Sequence, residues 1–448
     1  MTRNIHISLQ PKSMPLIDLW SMVYLGIVYS LTLFFEEANI IVFIIYFVGA
    51  MPFIYHLDKY LCICFLLSTM SYYFLGADEG IWSLYTILAL LMVVQILTKA
   101  RIKMPLKSTL YLLWLFLAVI ISYVHSSFEY SMGMFAMIYN IVIALLIALS
   151  IDIRTETVVS FLPKVVVFQV LAFIGMLLLN GHYDGYGFSV SEKINHNTFG
   201  SSVAVLAVIL FVRIMFFKDK SLIYRIMWIV SIILIFISGS RNALLATILT
   251  SIFVYMVAQK QKGKTISGVL KFALGISIIV FFGGLLLPEI GVDLSRYNYV
   301  ELISSGGSNR TIIWETLSPI IWEKHKWFGY GPGHFCSENM ILKFMNLDYK
   351  HTHNTLFEAW GELGFFGLIP FLLMLIGVYK KSNHHMKKNN AYLMFGFLFI
   401  EYFILGLGES FFANIAMWIV IGIILGSTKT HNSQEDQIEV NKVGISND

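Results

Sequence analysis

The amino-acid sequence predicts an all-α polytopic membrane protein of about 12–14 transmembrane helices, with one long extracytoplasmic loop carrying an interfacial helix. Three observations predict it. The 448 residues are 57% hydrophobic and 13% charged, with mean hydropathy +0.74, whereas a soluble domain is roughly one quarter charged. Apolar runs near the ~20 residues needed to cross a bilayer recur along most of the chain. Lysine and arginine collect in alternate connecting loops, the bias that sets orientation in a membrane.

In chain order the spans fall near 16–35, 38–55, 60–76, 81–98, 109–124, 133–151, 165–180, 198–217, 222–239, 242–258, 268–287, 355–378, 391–408 and 411–426. The second, third and fifth are short, so about 12 and about 14 spans both stand, and an even number puts the termini on one side. The loops TKARIKMPLK, FKDKSLIYR, QKQKGK and KKSNHHMKK share one face; GADEG, SSFEYSMG and GES share the other. With the first set cytoplasmic, 23 of the 31 Lys and Arg residues lie there and 8 lie outside, and both termini are cytoplasmic. The first twelve residues are polar with no cleavage-type site after the first apolar run, so no cleavable signal is expected. The polar end of the chain, 431–448, reads as a disordered cytoplasmic tail. Three cysteines make no disulfide framework: Cys62 and Cys64 lie in an apolar run as packing residues, and Cys336 stands alone in a loop.

Two outer segments exceed a tight turn: 181–197, and the much longer 288–353. In the second, Gly306 and Gly307 precede SNRTIIWETLSPIIWEKHKWFGYGPGHF. Ser308 or Asn309 can N-cap a helix there, and Ile312, Ile313, Leu317, Ile320 and Ile321 recur at helical spacing. Trp314, Trp322 and Trp327 suit a helix lying at the membrane interface, and GYGPG ends it with turn chemistry. Long outer loops of this kind tend to carry function.

The polar residues at this face need a reason. The segment HTHNTLFEAWGELGFFG leads into hydrocarbon carrying His351, His353, Asn354, Glu358 and Glu362, and such side chains are costly in lipid. If a helix starts at His353, then Trp360, Gly364 and Gly367 fall at +7, +11 and +14, within about 40° of it. The histidine would then head a face whose glycines admit a neighbouring helix closely. The plainer reading is that His353 and Asn354 cap a helix. Arg241, in FISGSRNALLATIL, marks an outer turn between two spans; alone it is also a snorkelling arginine. Arg310 opens the interfacial helix; alone it is also a solvated loop charge. Together they place two permanent cations and an imidazole on one side. Guanidinium groups hold phosphate oxygens in a fork, and histidine suits proton transfer near neutral pH. Other chemistry finds no support: there is no P-loop, dinucleotide fingerprint, HExxH or nucleophile elbow, and His334 and Cys336 beside HTH lack zinc spacing. Asp184, Asp293 and Glu301 are scattered, so no metal or cofactor is expected, nor any nucleic-acid partner.

The segment from Arg310 to Phe335, followed by His353-Asn354, Gly364 and Gly367, resembles the signature region of the O-antigen ligase and polymerase family of bacterial surface-polysaccharide enzymes. SGSRNALLA resembles that family's arginine turn, with Asn242 where a glycine is usual, and INHNTFG with Asn197 resembles a further polar element. The proline usual before the GxG element is absent, with Trp327 in its region. The resemblance covers about residues 195–425, and its specific part is 306–367. It implies a metal-independent, inverting glycosyl transfer in a fold of the membrane glycosyltransferase C type, at the periplasmic face of the inner membrane. The donor would be an oligosaccharide on undecaprenyl pyrophosphate, and the acceptor a lipid-linked glycan (polymerase, the leading expectation) or the lipid A core (ligase). Catalysis would rest on His353, Arg241 and Arg310; substrate contact on Asn354, Asn197, Tyr330, Trp360 and Glu358; and Gly364, Gly367 and Gly331 would be structural. The expected organisation is 1–180, N-terminal transmembrane helices; 181–430, the catalytic core with the periplasmic loop 288–353; and 431–448, the tail. The competing class is a transporter or flippase for a lipid-linked or anionic solute, against which the single long loop and the lack of a repeat count.

Overall fold

The computed structural model describes residues 16–34, 40–69, 84–98, 106–126, 132–151, 153–154, 157–192, 194–217, 221–261, 263, 275, 310–333, 352–386, 390–412 and 414–426. The expected span 268–287, most of the loop 288–353 (with Ser308, Asn309, His334, Cys336 and His351) and the tail lie outside the described residues. Fourteen α-helices are described: α1 (Leu16–Phe34), α2 (Ile40–Ala50), α3 (Leu57–Ser68), α4 (Leu84–Thr98), α5 (Leu106–His125), α6 (Met132–Ser150), α7 (Leu162–Asn180), α8 (His196–Phe216), α9 (Leu222–Ile237), α10 (Arg241–Gln261), α11 (Arg310–Ile320), α12 (Thr355–Met386), α13 (Asn390–Leu405) and α14 (Ile415–Gly426). Four segments, 157–180, 196–216, 241–261 and 355–384, are long and apolar enough to cross a membrane, and eight more apolar helices are shorter. The protein is a multi-pass, all-helical membrane protein, and every expected span in the described residues is a helix.

Helix α8 is the axis of the bundle. It packs against α7, α9, α10 and α13, and nearly every side chain from Phe199 to Val212 is buried. Helix α14 is buried along its whole length and lies along α6. Small residues permit that: Gly422 and Gly426 face Ala144 and Ala148, and a Cβ on Gly422 would stand 2.8 Å from the Ala144 carbonyl oxygen. Two small residues four apart on each helix let the backbones meet, which replaces the hydrophobic drive that lipid removes. Around this core, exposed side chains such as Leu16, Leu97, Leu178 and Ile226 form an apolar outer surface, as a bilayer requires.

A polar clasp ties the N-terminal helices together. Asp18 on α1 accepts from Lys59 on α3 at 2.5 Å and from Lys164 on α7 at 3.4 Å. Asp58 accepts a forked pair from Arg154 at 2.9 and 3.0 Å, and a further bond from Thr157. Both carboxylates are buried. Lys164 stands near the start of α7. The other end of α7, roughly 28 Å away at 1.5 Å per residue, runs into an antiparallel hairpin, β1 (His182–Tyr183) and β2 (Phe188–Ser189). Asp184 in that hairpin meets His196 Nδ1 at 2.5 Å and accepts from the Tyr186 and Gly187 amides. The hairpin packs on the turn between α9 and α10, where a Cβ on Gly187 would strike the Ser238 carbonyl.

Two local expectations are corrected. The helix after the long loop starts at Thr355, because Asn354 is its N-cap: Asn354 Oδ1 accepts from the Leu356 and Phe357 amides at 3.0 and 2.9 Å. His353 precedes the cap in a left-handed conformation (φ 53°), so it does not head a helical face. Helix α12 is also broken at Gly364 (φ 62°, ψ −166°). The glycines at +11 and +14 therefore do not lie in line below the histidine. What meets Gly364 is a turn of backbone rather than a neighbouring helix.

Candidate active site

The arginine turn follows from its residues. Ser238 ends α9, Gly239 reverses the chain at φ 66°, and Ser240 begins α10 with its hydroxyl near the Ala243 amide. Arg241 is then the first residue of α10, and Arg310 is the first residue of α11. A cation at a helix N-terminus opposes the macrodipole by about 0.3–1 kcal/mol. At Arg241 the helix dipole and the guanidinium group both attract negative charge, which suits an anion.

Residues 405–411, between α13 and α14, gather the pieces. Asn242 donates to the Leu405 carbonyl at 2.9 Å and Asn354 donates to the Leu407 carbonyl at 3.2 Å. Thr355 binds three points of the same segment: its amide donates to Gly406 O at 2.8 Å, its hydroxyl donates to Glu409 O at 3.0 Å, and that hydroxyl accepts from the Phe411 amide at 2.9 Å. Gly408 is the contact point of α10 and α11: a Cβ there would lie 2.6 Å from Asn242 Oδ1 and 3.0 Å from Arg310 Nη1. The starts of α10 and α12 and residue Arg310 of α11 thus meet at this segment. At its centre the Glu409 carboxylate divides its oxygens. Oε1 is 3.4 Å from Arg310 Nη2, and Oε2 is 3.4 Å from His353 Nδ1. The three side chains are partly open, with 16–23% of each exposed.

A second docking holds this end together. Residues 326–331 lie in the break of α12 and pair with it backbone to backbone: Phe365 N donates to Lys326 O (2.8 Å), Phe366 N to Trp327 O (3.0 Å), Tyr330 N to Gly361 O (2.8 Å) and Gly331 N to Glu362 O (3.1 Å). Gly329 (φ 73°) and Gly364 are in contact with backbone on the opposing segment, and a Cβ on either would stand 2.2–2.3 Å from it. The GxG turn and the glycine eleven residues after His353 are two halves of one joint. Gly367 makes room for Leu363 of its own helix. Above the joint, Ile313 and Leu317 of α11, with Ile321 just after it and Tyr330, are buried against Phe357 and Trp360. Trp314 Nε1 donates to the Thr352 carbonyl at 2.8 Å, fastening α11 to the residues just before α12 that include His353. Trp322 and Trp327 are the exposed tryptophans, while Trp314 is turned inward.

The structure therefore brings Arg310, His353 and Asn354 to one segment, and Asn242, the residue after Arg241, bonds to its Leu405 carbonyl. Asn354 acts there as a cap and tether. Tyr330 and Trp360 stand in the packed layer between α11 and α12, and burial pushes the Tyr330 hydroxyl up from its ordinary value. Glu358 is buried in the first turn of α12. Asn197 lies in the first turn of α8, one turn ahead of Gly200, which packs on Ser238 and Ser240 just before Arg241. Sequence reasoning missed Glu409; the only signal was a carboxylate in the short outer loop GES.

These features define a class: a multi-pass membrane protein with a cationic, histidine-bearing site built at one end of its bundle. Residues 226–372 match the family model of O-antigen ligase, so the chain carries that family's domain. That family comprises membrane glycosyltransferases of the ligase and polymerase type in surface-polysaccharide biosynthesis. Among curated proteins, none matches the chain.

Proposed function

We propose that the enzyme transfers an oligosaccharide from undecaprenyl pyrophosphate to a sugar hydroxyl of a second lipid-linked glycan, as a polymerase, with inversion and without a metal. The observation that carries the reading is the convergence of Arg310 and His353 on the segment that also seats the start of α10 at Arg241. The acceptor hydroxyl oxygen attacks the anomeric carbon from the face opposite the phosphate. As that bond forms, the bond from the anomeric carbon to the phosphate oxygen breaks, and its electron pair stays on the lipid pyrophosphate. Arg241 and Arg310 stabilise that charge, and His353 Nε2 receives the hydroxyl proton. Among the described residues, no group of three His, Cys, Asp or Glu is placed to hold a metal ion. Asn197 and Glu358 are assigned to sugar contact, and Tyr330, Trp360, Gly331, Gly364 and Gly367 to shaping the wall. The catalytic core is assigned to 181–430, behind the helices of 1–180.

The test is the purified full chain with lipid-linked oligosaccharide. Longer glycans on the lipid, with release of undecaprenyl pyrophosphate and an inverted linkage by NMR, are expected. Transfer only when lipid A core is supplied would make it a ligase. Movement of the donor across a vesicle bilayer with no bond changed would overturn the reading in favour of a transporter. The site is placed on the periplasmic side of the inner membrane with both termini cytoplasmic. Reporter fusions at Gly307 and Asn383 should therefore report opposite sides.

A further inference from the structure

We propose that Glu409 is a positioning residue for this reaction: its carboxylate fixes the ring of His353 through Nδ1 and holds Arg310 until the donor phosphate arrives. The inference rests on the reading of His353 as the base. Glu409 lies beyond the residues matched to the family model, in the turn after α13.

Three observations carry it. First, the carboxylate is divided between two partners. A glutamate serving only to neutralise Arg310 would take the forked geometry that Arg154 and Asp58 adopt at 2.9 and 3.0 Å. Here one oxygen goes to the guanidinium and the other to the imidazole. Second, the spacing is set by backbone. Thr355, two residues from His353, is bonded to Gly406 O, to Glu409 O and to the Phe411 amide: before, at and after the carboxylate's own residue. Third, His353 is the one non-glycine residue with positive φ among the described residues. A non-glycine residue is held in that region only where its surroundings impose it, and such residues gather at functional sites.

The chemistry follows from the donor and acceptor roles. A carboxylate can only accept, so the facing Nδ1 carries the hydrogen and Nε2 keeps its lone pair. That is the tautomer a base needs. As the acceptor hydroxyl gives its proton to Nε2, the ring becomes a cation, and Glu409 stabilises it without taking the proton, as an orienting carboxylate does elsewhere. The contacts at 3.4 Å are long for hydrogen bonds, as is common before substrate tightens a site. Donor phosphate competes with Oε1 for the Arg310 fork, which frees Glu409 to close on His353.

The experiment uses the full chain in lipid nanodiscs with lipid-linked oligosaccharide, measuring kcat, donor dissociation constant and thermal midpoint. Glu409→Gln should lower kcat on the order of 10²-fold, while donor binds as tightly as before or tighter, because Arg310 has lost a competitor. In Glu409→Ala, added formate should restore part of kcat by supplying the missing carboxylate. Wild-type kcat in Glu409→Gln, with His353→Ala inactive, would overturn this inference and leave the proposed reaction standing. A joint fall of kcat, donor binding and thermal midpoint, with no rescue by formate, would make Glu409 a structural residue only and also overturn it. Full activity in His353→Ala would remove the base itself, and with it the need for a positioning carboxylate.

Discussion

Two charged clusters in the molecule are built on different terms. In the clasp, Asp58 is held by a forked arginine and a threonine, Asp18 is shared by two lysines, and both carboxylates are buried. In the cluster at the other site, Glu409 meets Arg310 and His353 at 3.4 Å each, and all three side chains stay partly open. The first arrangement spends its hydrogen-bonding capacity inside the protein. The second holds its carboxylate at longer distance and leaves its groups partly exposed to solvent. On the proposed reading, ion pairs that hold a fold and ion pairs that wait for substrate are thus distinguishable by geometry.

The sharpest way to break the comparison is His353→Ala. Transfer should fall on the order of 10²- to 10⁴-fold, the usual contribution of a general base, with insertion and donor binding kept; His351→Ala should be mild. Product formation at saturating donor, beside a donor-binding assay, checks both, and equal damage from the two variants would favour a structural cap. Next come Arg241→Lys and Arg310→Lys. Lysine keeps the charge and loses the fork, so the rate should drop roughly 30- to 1,000-fold, about 2–4 kcal/mol of transition-state stabilisation. Near-normal rates at matched expression would return these arginines to the role of helix-end charges.

The joint between residues 326–331 and α12 is probed by Gly364→Ala. The position combines φ 62° with a Trp327 carbonyl 2.3 Å from where a Cβ would sit, so a destabilisation on the order of 3 kcal/mol is expected, read as a lower unfolding midpoint. Asp58→Ala acts at the clasp. It strands a buried Thr157 and a half-exposed Arg154, and on the order of 2 kcal/mol should be lost, below the ~3–5 of a fully buried pair. Transfer per folded molecule should be unchanged, and a selective loss of turnover would erase the distinction between the two clusters.

The smallest effect concerns pH. His325 stacks on Tyr330 at 3.9 Å, and burial holds its imidazole below the usual histidine value, outweighing a bond to the Gly329 backbone that favours the charged ring. The fold thus favours the neutral ring. Its contribution is present above the unfolded value of about 6.5 and is lost as pH falls through the lowered folded value. The difference in unfolding midpoint between about pH 7.5 and about pH 5 should shrink in His325→Asn.

Helix positions and the arginine turn were legible because hydropathy, Gly239 and the flanking serines are local signals. The GxG turn was legible as a turn, but its destination was not. Periodicity assumes a continuous helix, so Gly364 read as a place for a neighbouring helix, when its freedom is used to admit backbone from residues 326–331. His353 was placed on a helical face for the same reason, although Asn354 begins the helix after it. Glu409 was invisible because a carboxylate in a three-letter turn acquires meaning only when α11 and the residues before α12 arrive beside it.

The broken helix also bears on biogenesis. At Gly364 the amides of Phe365 and Phe366 and the carbonyls of Gly361 and Glu362 bond to residues 326–331, and the Glu362 carbonyl accepts from Ser122 of α5 as well. In a bilayer each such group left without a partner costs several kcal/mol. Both partners precede α12 in the chain, so a ribosome makes them before it makes the helix that needs them. α12 can then find its partners as it leaves the translocation channel. A rearranged gene that delivered α12 first would expose four bare backbone groups to lipid, and its product would be one for membrane proteases to find.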